Sequence, residues 1–288
     1  PYTRFGLGIR DSRAATALLL AWLGGFAVAA RVIGQIYAGG ALTRRQTQLL
    51  LVCGVGSGPA FVVNTVGCLL LGSPRLGWCI FAALLLANLA AGLLARAALA
   101  SEPETLAKSA SCPEDAAQGI SLVSAVQGAV QSMLAVCGFV TFFSFLSHAL
   151  GSFLPASGPV RAALAALLEV TGGCNDAVQQ GLPLWVLSFA IGWGGICVHF
   201  QILSSISGIP ISIPRFMLFR LFHGLLAGGI TFGLCVLFPE AAPAFGNTTA
   251  PLHGVLMGSV PAAVAIVGLC ILLLLQCRKD NRIETAKE

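Results

Sequence analysis

Residues 161–191 read RAALAALLEVTGGCNDAVQQGLPLWVLSFAI. Two apolar stretches enclose a carboxylate (Glu169), a glycine pair (Gly172, Gly173) and an Asn175-Asp176 pair. In water such a segment reads as a loop between two buried helices. In lipid it reads as a helix interrupted inside the membrane, with a charge held where charges are costly. The composition decides between the two. The chain has 288 residues, of which 57% are hydrophobic and only 9% charged. Soluble domains carry about 25% charged residues, and a water-facing surface cannot be made from so few.

A lipid solvent demands that every backbone polar group find an internal partner, which leaves helices or a closed barrel. Barrel strands alternate polar and apolar residues over about ten positions. The apolar runs here are long and continuous, so the expected fold is all-α: a polytopic transmembrane helix bundle, one integral membrane domain over 1–288.

Working outward, residues 14–38 are apolar but punctuated by Gly24, Gly25, Gly34 and Gly39, with Arg31 inside. Thr43, followed by Gln46 three residues on, reads as a helix N-cap with a capping box. Leu49–Leu71 is interrupted at Gly54, Gly56, Gly58 and Pro59, and 76–99 is a clean span. A polar loop fills 100–118. Spans follow at 120–150, at 160–178 with the Glu169 motif at its end, at 182–206 broken at Gly192, Gly194 and Gly195, at 215–238 and at 254–277. Asn175 and Asp176 are expected to cap a half-helix or meet water.

Lys and Arg mark cytoplasmic edges. The tail after 277 carries Arg278, Lys279, Arg282 and Lys287, whereas 239–253 has none. The C-terminus is therefore expected in the cytoplasm. The net charge of +5 is spread over loops and tail, which fits membrane edges rather than nucleic acid.

A shift of 140 residues lays Cys53–Gly67 on Trp193–Ser207 and Pro74-Arg75 on Pro214-Arg215. Upstream, 24–38 matches 165–178 with a few residues of gap. Each half then reads as two broken segments and a span, with repeat 1 at about 14–99 and repeat 2 at about 120–238. The second copy has the helix 120–150 in front, and an N-terminal helix preceding Pro1 would supply its counterpart. Three crossings per unit invert one copy against the other, and inverted repeats with broken or re-entrant helices mark transporters.

The candidate site residues are the polar ones at these breaks: Glu169, Thr171, Gly172 and Gly173; His199 and Gln201; Ser57, Asn64 and Thr65. Glu169 would accept a hydrogen bond from a solute or carry a coupling proton; a structural ion pair with Arg31 or Arg220 is the alternative. Arg31 and Arg220 could hold an anion bidentately or serve as flanking, snorkelling residues. His148 and His223 read as packing or interface residues. Ten cysteines without any Cys-x-x-Cys pair give no disulfide framework and no zinc site. No P-loop, His-Glu-x-x-His or Gly-x-Ser-x-Gly is present. No enzyme, metal or cofactor is expected; the expected partners are a small solute and the bilayer.

Several of these stretches carry a resemblance. They are Ser57–Gly67 with Gly72–Gly77, then Leu168–Cys174, then Gly192–Gln201, then Arg220–Gly224. In this order the chain resembles the YlbJ-type sporulation integral membrane proteins of the nucleoside-recognition (gate) domain group. The resemblance implies a bacterial cell-membrane or forespore-membrane protein linked to movement of dipicolinic acid. A nucleoside-type or other small-solute permease, and a non-transporting scaffold of sporulation, stay open, as do a homo-oligomer and sporulation membrane partners. Two motifs depart from the family. Gly25-Phe-Ala-Val-Ala-Ala30 lacks its proline and second glycine, and Cys53-Gly-Val-Gly-Ser-Gly-Pro59 lacks its Asn pair.

Overall fold

The computed structural model describes residues 2–100, 122–153, 158–206, 209 and 211–237, with side chains from 126 onward in the helix that opens at 122. All described residues belong to one compact unit. The expectations for the loops 100–118 and 239–253, the span 254–277 and the basic tail lie outside the described residues.

The fold is all-α, with no strand among the described residues. A π-turn at Tyr2–Gly6 precedes α1 (Ser12–Gly24) and α2 (Phe26–Ala38). Then come α3 (Arg44–Gly54), a π-wound helix Ala60–Leu70 and α4 (Pro74–Ala98). The second half holds α5 (Leu122–Phe153), α6 (Gly158–Leu168), α7 (Val170–Gln179), α8 (Leu184–Trp193), α9 (Gly195–Ser205) and α10 (Ile213–Leu237).

Local chemistry sets the boundaries. Asp11 caps α1 by accepting from the Arg13 N–H. Thr43 and Gln46 form the complete capping box of α3. Ser73 caps α4, with Pro74 at its first turn, where a missing N–H costs nothing. Gly194, left-handed at φ 86°, closes α8.

Helix length separates two classes. α4 and α10 have 25 residues each, about 37 Å at 1.5 Å per residue, enough for a hydrocarbon core of about 30 Å. The paired helices α1/α2, α6/α7 and α8/α9 have 10–13 residues each. Each alone reaches about halfway across, and α8 with α9 makes up the apolar span Leu184–Ser205. Pro74–Ala98, Val126–Phe153, Leu184–Ser205 and Ile213–Leu237 are long and apolar enough to span a membrane. Their outward faces carry large apolar side chains, among them Leu86, Leu93, Phe145, Leu218 and Phe232. The chain is a membrane protein built as a helical bundle.

Each half runs in the same order: two interrupted helices, then a 25-residue helix. α4 and α10 pack on each other at the centre. α10 also lies along α8, and α4 along α3 and the π-wound helix. The close approaches use glycine. A Cβ on Gly192 would sit 2.7 Å from the Gly224 Cα, and one on Gly67 would sit 2.7 Å from the Gly77 Cα. Small residues that let backbones meet are the usual device for helix association in lipid. The core between the halves is apolar, with Ile33, Leu50, Ile80, Leu187, Ile191 and Ile202 fully buried.

Candidate functional site

Four interruptions organise the site. The first is Gly25, at φ 80° and ψ −170°, a conformation open essentially to glycine alone. The second is the extended stretch between Gly54 and Ala60. The third is Glu169, extended at φ −144° and ψ 122°. The fourth is Gly194-Gly195, both at positive φ. Two expectations change here. The Gly172-Gly173 pair is not the break: it lies inside α7, and the break is one residue, Glu169. Gly173 serves packing, since a Cβ there would collide with the Ala166 backbone. Asn175 and Asp176 cap nothing; both sit within α7, with the Asn175 amide 3.5 Å from the Asp176 carboxylate.

Within each half the two breaks cross backbone on backbone. A Cβ on Gly58 would stand 2.7 Å from the Leu23 carbonyl oxygen and 3.2 Å from the Gly25 nitrogen. A Cβ on Gly195 would stand 3.0 Å from the Leu168 oxygen and 3.2 Å from the Glu169 Cα. A tryptophan ties each crossing. Trp22 on α1 donates to the Cys53 carbonyl at the end of α3, at 2.8 Å. Trp193 at the end of α8 donates to the Leu167 carbonyl at the end of α6, at 3.3 Å. Cys53 and Trp193 are 140 residues apart, so donor and acceptor positions have exchanged between the halves.

Glu169 is 3% exposed. One carboxylate oxygen accepts from the Thr171 N–H and the other from the Gly172 N–H, both at 2.7 Å. It thereby caps α7 and satisfies two of the donors that a helix start leaves open. No ion pair to Glu169 occurs among the described residues. Each oxygen keeps further accepting capacity.

Glu169 also lines a cavity of about 270 Å³. Leu23–Ala27, Ser57, Gly58 and Phe61 supply the first-half wall, and Glu169–Thr171, Cys197, Val198 and Gln201 the second-half wall; Val136 and Val140 of α5 complete it. Ser57 is 6% exposed, and its hydroxyl has no partner. The Gln201 amide donates to the Cys197 sulfur at 3.3 Å. Three more buried atoms near the breaks lack partners among the described residues, the Asn88 Oδ1, the His199 Nε2 and the Arg220 Nε. Native proteins leave few such atoms, and a bound solute or water is the usual reason.

Arg220 holds the two halves together. It is 1% exposed. It donates to the Val55 carbonyl, just past the end of α3, at 2.5 Å, and to the Gly192 carbonyl near the end of α8. A cation on the open carbonyls of a helix C-terminus is favourable, and here one guanidinium serves two interrupted helices. Its Cζ lies 5.4 Å from the centre of the Phe26 ring. His223, one turn on, places Nδ1 3.0 Å from the same Gly192 oxygen and Nε2 3.1 Å from the Leu84 oxygen. It bridges α8 and α4.

Of the sequence candidates, the fold thus gathers Glu169, Thr171, Gln201 and Ser57 around one cavity. Gly172 supplies a backbone N–H to Glu169 from the same turn. His199 is buried beside it, with Nδ1 2.7 Å from the Gly195 oxygen and its ring between Trp193 and Phe216. Asn64 is exposed and Thr65 half-buried, on the π-wound helix away from the cavity. Arg31 lies elsewhere, between α2 and α5. It donates to the Gly128 carbonyl and, at 2.6 Å, to the Ser132 hydroxyl, and it lines a separate cavity. His148 is exposed and His223 is fully buried at the centre. Two kinds of contributor stand outside the sequence candidates. Asn88 faces Gly56 from α4, its amide nitrogen 2.8 Å from where a Gly56 Cβ would be, and it is the lone amide within an otherwise apolar span. Trp22 and Trp193 give no signal in the sequence beyond their place next to the glycines.

Comparison of the chain with family models, with curated proteins and with solved structures found no match.

Proposed function

We propose that the chain is a multi-pass membrane transporter of a small polar or anionic solute, which binds where the interrupted helices of the two halves meet. The observation that carries this reading is the cavity shared by the Gly25, Ser57-Gly58 and Glu169 breaks, with a buried carboxylate on one wall and an unpartnered hydroxyl on the other. An uninterrupted bundle would have no use for four breaks at such depth, because each exposes backbone groups that lipid cannot satisfy.

A two-fold relation between the halves belongs to the same reading, and contacts between elements support it, although the packing of α4 on the π-wound helix is not matched by α10 on α9. The relation pairs α1 with α6, α2 with α7, α3 with α8 and the π-wound helix with α9. It requires that if α2 packs on α9, then α7 packs on the π-wound helix, and both contacts occur. It likewise couples α1·α3 to α6·α8 and α2·α3 to α7·α8, and all four occur. In inverted-repeat transporters one half rocks against the other around a fixed midplane site. The breaks would serve as hinges.

The link to sporulation and to dipicolinic acid rests on the resemblance alone, as does placement in a forespore membrane. A nucleoside or another small solute is the alternative cargo. The test is uptake of labelled dipicolinate, with a nucleoside in parallel, by proteoliposomes holding the protein, with Glu169→Gln as control. Saturable uptake of one of these solutes, or of an amino acid offered alongside them, that the substitution abolishes is the expected result. Folded protein that moves none of the three would replace the transporter with a scaffold, for which substitutions at His199 and Gln201 cost stability and nothing else.

A further inference from the structure

The cavity at the crossings holds one carboxylate together with open helix starts. No Arg, Lys or His is among the described residues that line it. Arg220 is committed to two carbonyls and Arg31 lines another cavity. The charge it does contain is the Glu169 carboxylate on the second-half wall, beside the Gln201 side chain. The N-terminus of α7, which would otherwise attract an anion, is already occupied by Glu169 itself.

Helix starts without a side-chain cap lie on both walls, since Cys197 and Val198 belong to the first turn of α9. On the first-half wall, Phe26 and Ala27 are the first two residues of α2, which has no side-chain cap, so open backbone donors and the positive end of that helix face this side. The π-wound helix contributes less, since Pro59 has no N–H and the Phe61 and Val62 N–H groups bond to the Gly58 oxygen. The independent mark of a ligand is Ser57, buried and unpartnered in the same wall.

We infer that the solute is a small zwitterion of the amino-acid type. Its carboxylate accepts from the first turn of α2 and from the Ser57 hydroxyl, and its ammonium donates to Glu169 and Gln201. A dicarboxylate would set a second negative charge against Glu169, and no side-chain cation is among the described residues that line the cavity. This inference names the cargo of the transport site proposed above and rests on that reading.

The experiment is thermal stabilisation of the full chain in detergent by a panel of the common L-amino acids. The best binder is then compared with its methyl ester, which lacks the carboxylate, with its N-acetyl form, which lacks the ammonium, and with dipicolinate. The expected result is stabilisation by the zwitterion, with affinity reduced roughly tenfold or more by either block and no effect of dipicolinate. Ser57→Ala should weaken the amino acid and leave the weak binding of its ester unchanged; this mild variant keeps the test open if Glu169→Gln, which removes a helix cap, does not fold. Tighter binding of dipicolinate or of the N-acetyl form overturns the inference, and so does a panel in which no amino acid stabilises the protein. Binding of a zwitterion without flux in proteoliposomes would instead overturn transport and leave the ligand class standing.

Discussion

Replacing Arg220 by methionine tests the claim that one guanidinium closes two interrupted helices. Methionine keeps most of the length and apolar volume but donates nothing. The Gly192 oxygen keeps a partner in the tautomer of His223 that carries its proton on Nδ1, whereas the Val55 oxygen loses its donor. An orphaned buried carbonyl costs about 1–3 kcal/mol. The lost contact with the Phe26 ring adds about 1 kcal/mol, and relief from burying a cation offsets part of the sum. The net is a loss of about 2–3 kcal/mol, equivalent to a melting point about 3–5 °C lower for a chain of this size. Cys53, Cys174 and Cys197 are free thiols, and Cys53 and Cys174 are fully buried, so reaction with a fluorogenic maleimide during a temperature ramp reports unfolding. Arg220→Lys should fall between, because an ammonium on a shorter reach can serve one carbonyl. A melting point for Arg220→Met within about 1 °C of the parent would refute the reasoning.

Three further outcomes follow from named contacts. Gly25→Ala should destabilise by about 1–3 kcal/mol, because a side chain is forced into a glycine-only conformation against the Gly58 nitrogen; Gly34→Ala, inside α2 with only ordinary contacts at 3.6–3.7 Å, should be neutral or gain up to about 1 kcal/mol in helix propensity, and the same melting assay reads both. Trp22→Phe and Trp193→Phe should each cost about 1–3 kcal/mol by orphaning the Cys53 and Leu167 carbonyls; a loss confined to one of them would break the equivalence of the two crossings. Asp11, before α1, is held below the usual carboxylate range chiefly by its hydrogen bond from the Arg13 side chain, against some desolvation. Its folded state therefore favours the charged form, so the stability it lends is present above the ordinary Asp value of about 3.9 and lost as pH falls through the lower folded value. The pair is largely exposed and contributes less than about 1 kcal/mol; the small melting difference between parent and Asp11→Asn at neutral pH should close in acid.

Much of this architecture is legible in the sequence, and the residues show where legibility ends. Length and hydropathy place α4, α5 and α10 to within a few residues, because a span is a one-dimensional property. Thr43 and Gln46 declare their cap for the same reason, since all its partners lie within four residues. The breaks are readable as regions but not as positions. Gly24, Gly25, Gly34 and Gly39 look alike in sequence, yet Gly25 alone turns the chain, because it is the one met by Gly58 from another helix. The Gly172-Gly173 pair invites the same reading as Gly194-Gly195, but Ala166 takes the first as a packing groove, and Glu169 makes the turn instead by capping the next helix with its own carboxylate. The candidate site divides in the same way. Glu169, Ser57 and Gln201 converge because their breaks cross. Arg31 and Arg220 fall to carbonyls that only the tertiary fold brings within reach. Asn88 is visible as a lone amide in a clean span, and its value emerges only once Gly56 is placed against it.

The central claim is that the crossing of the interrupted helices encloses a site that solute can reach through the membrane. Its most direct test is Ser57→Cys in a variant with the ten native cysteines replaced, reconstituted in vesicles and exposed to a membrane-impermeant thiol reagent from each side in turn. Reaction at Ser57→Cys, with a side preference that shifts when transported solute is added, is the predicted result. A cysteine there that stays unreactive from both sides, in protein that melts like the parent, would contradict it and leave the four breaks as packing devices.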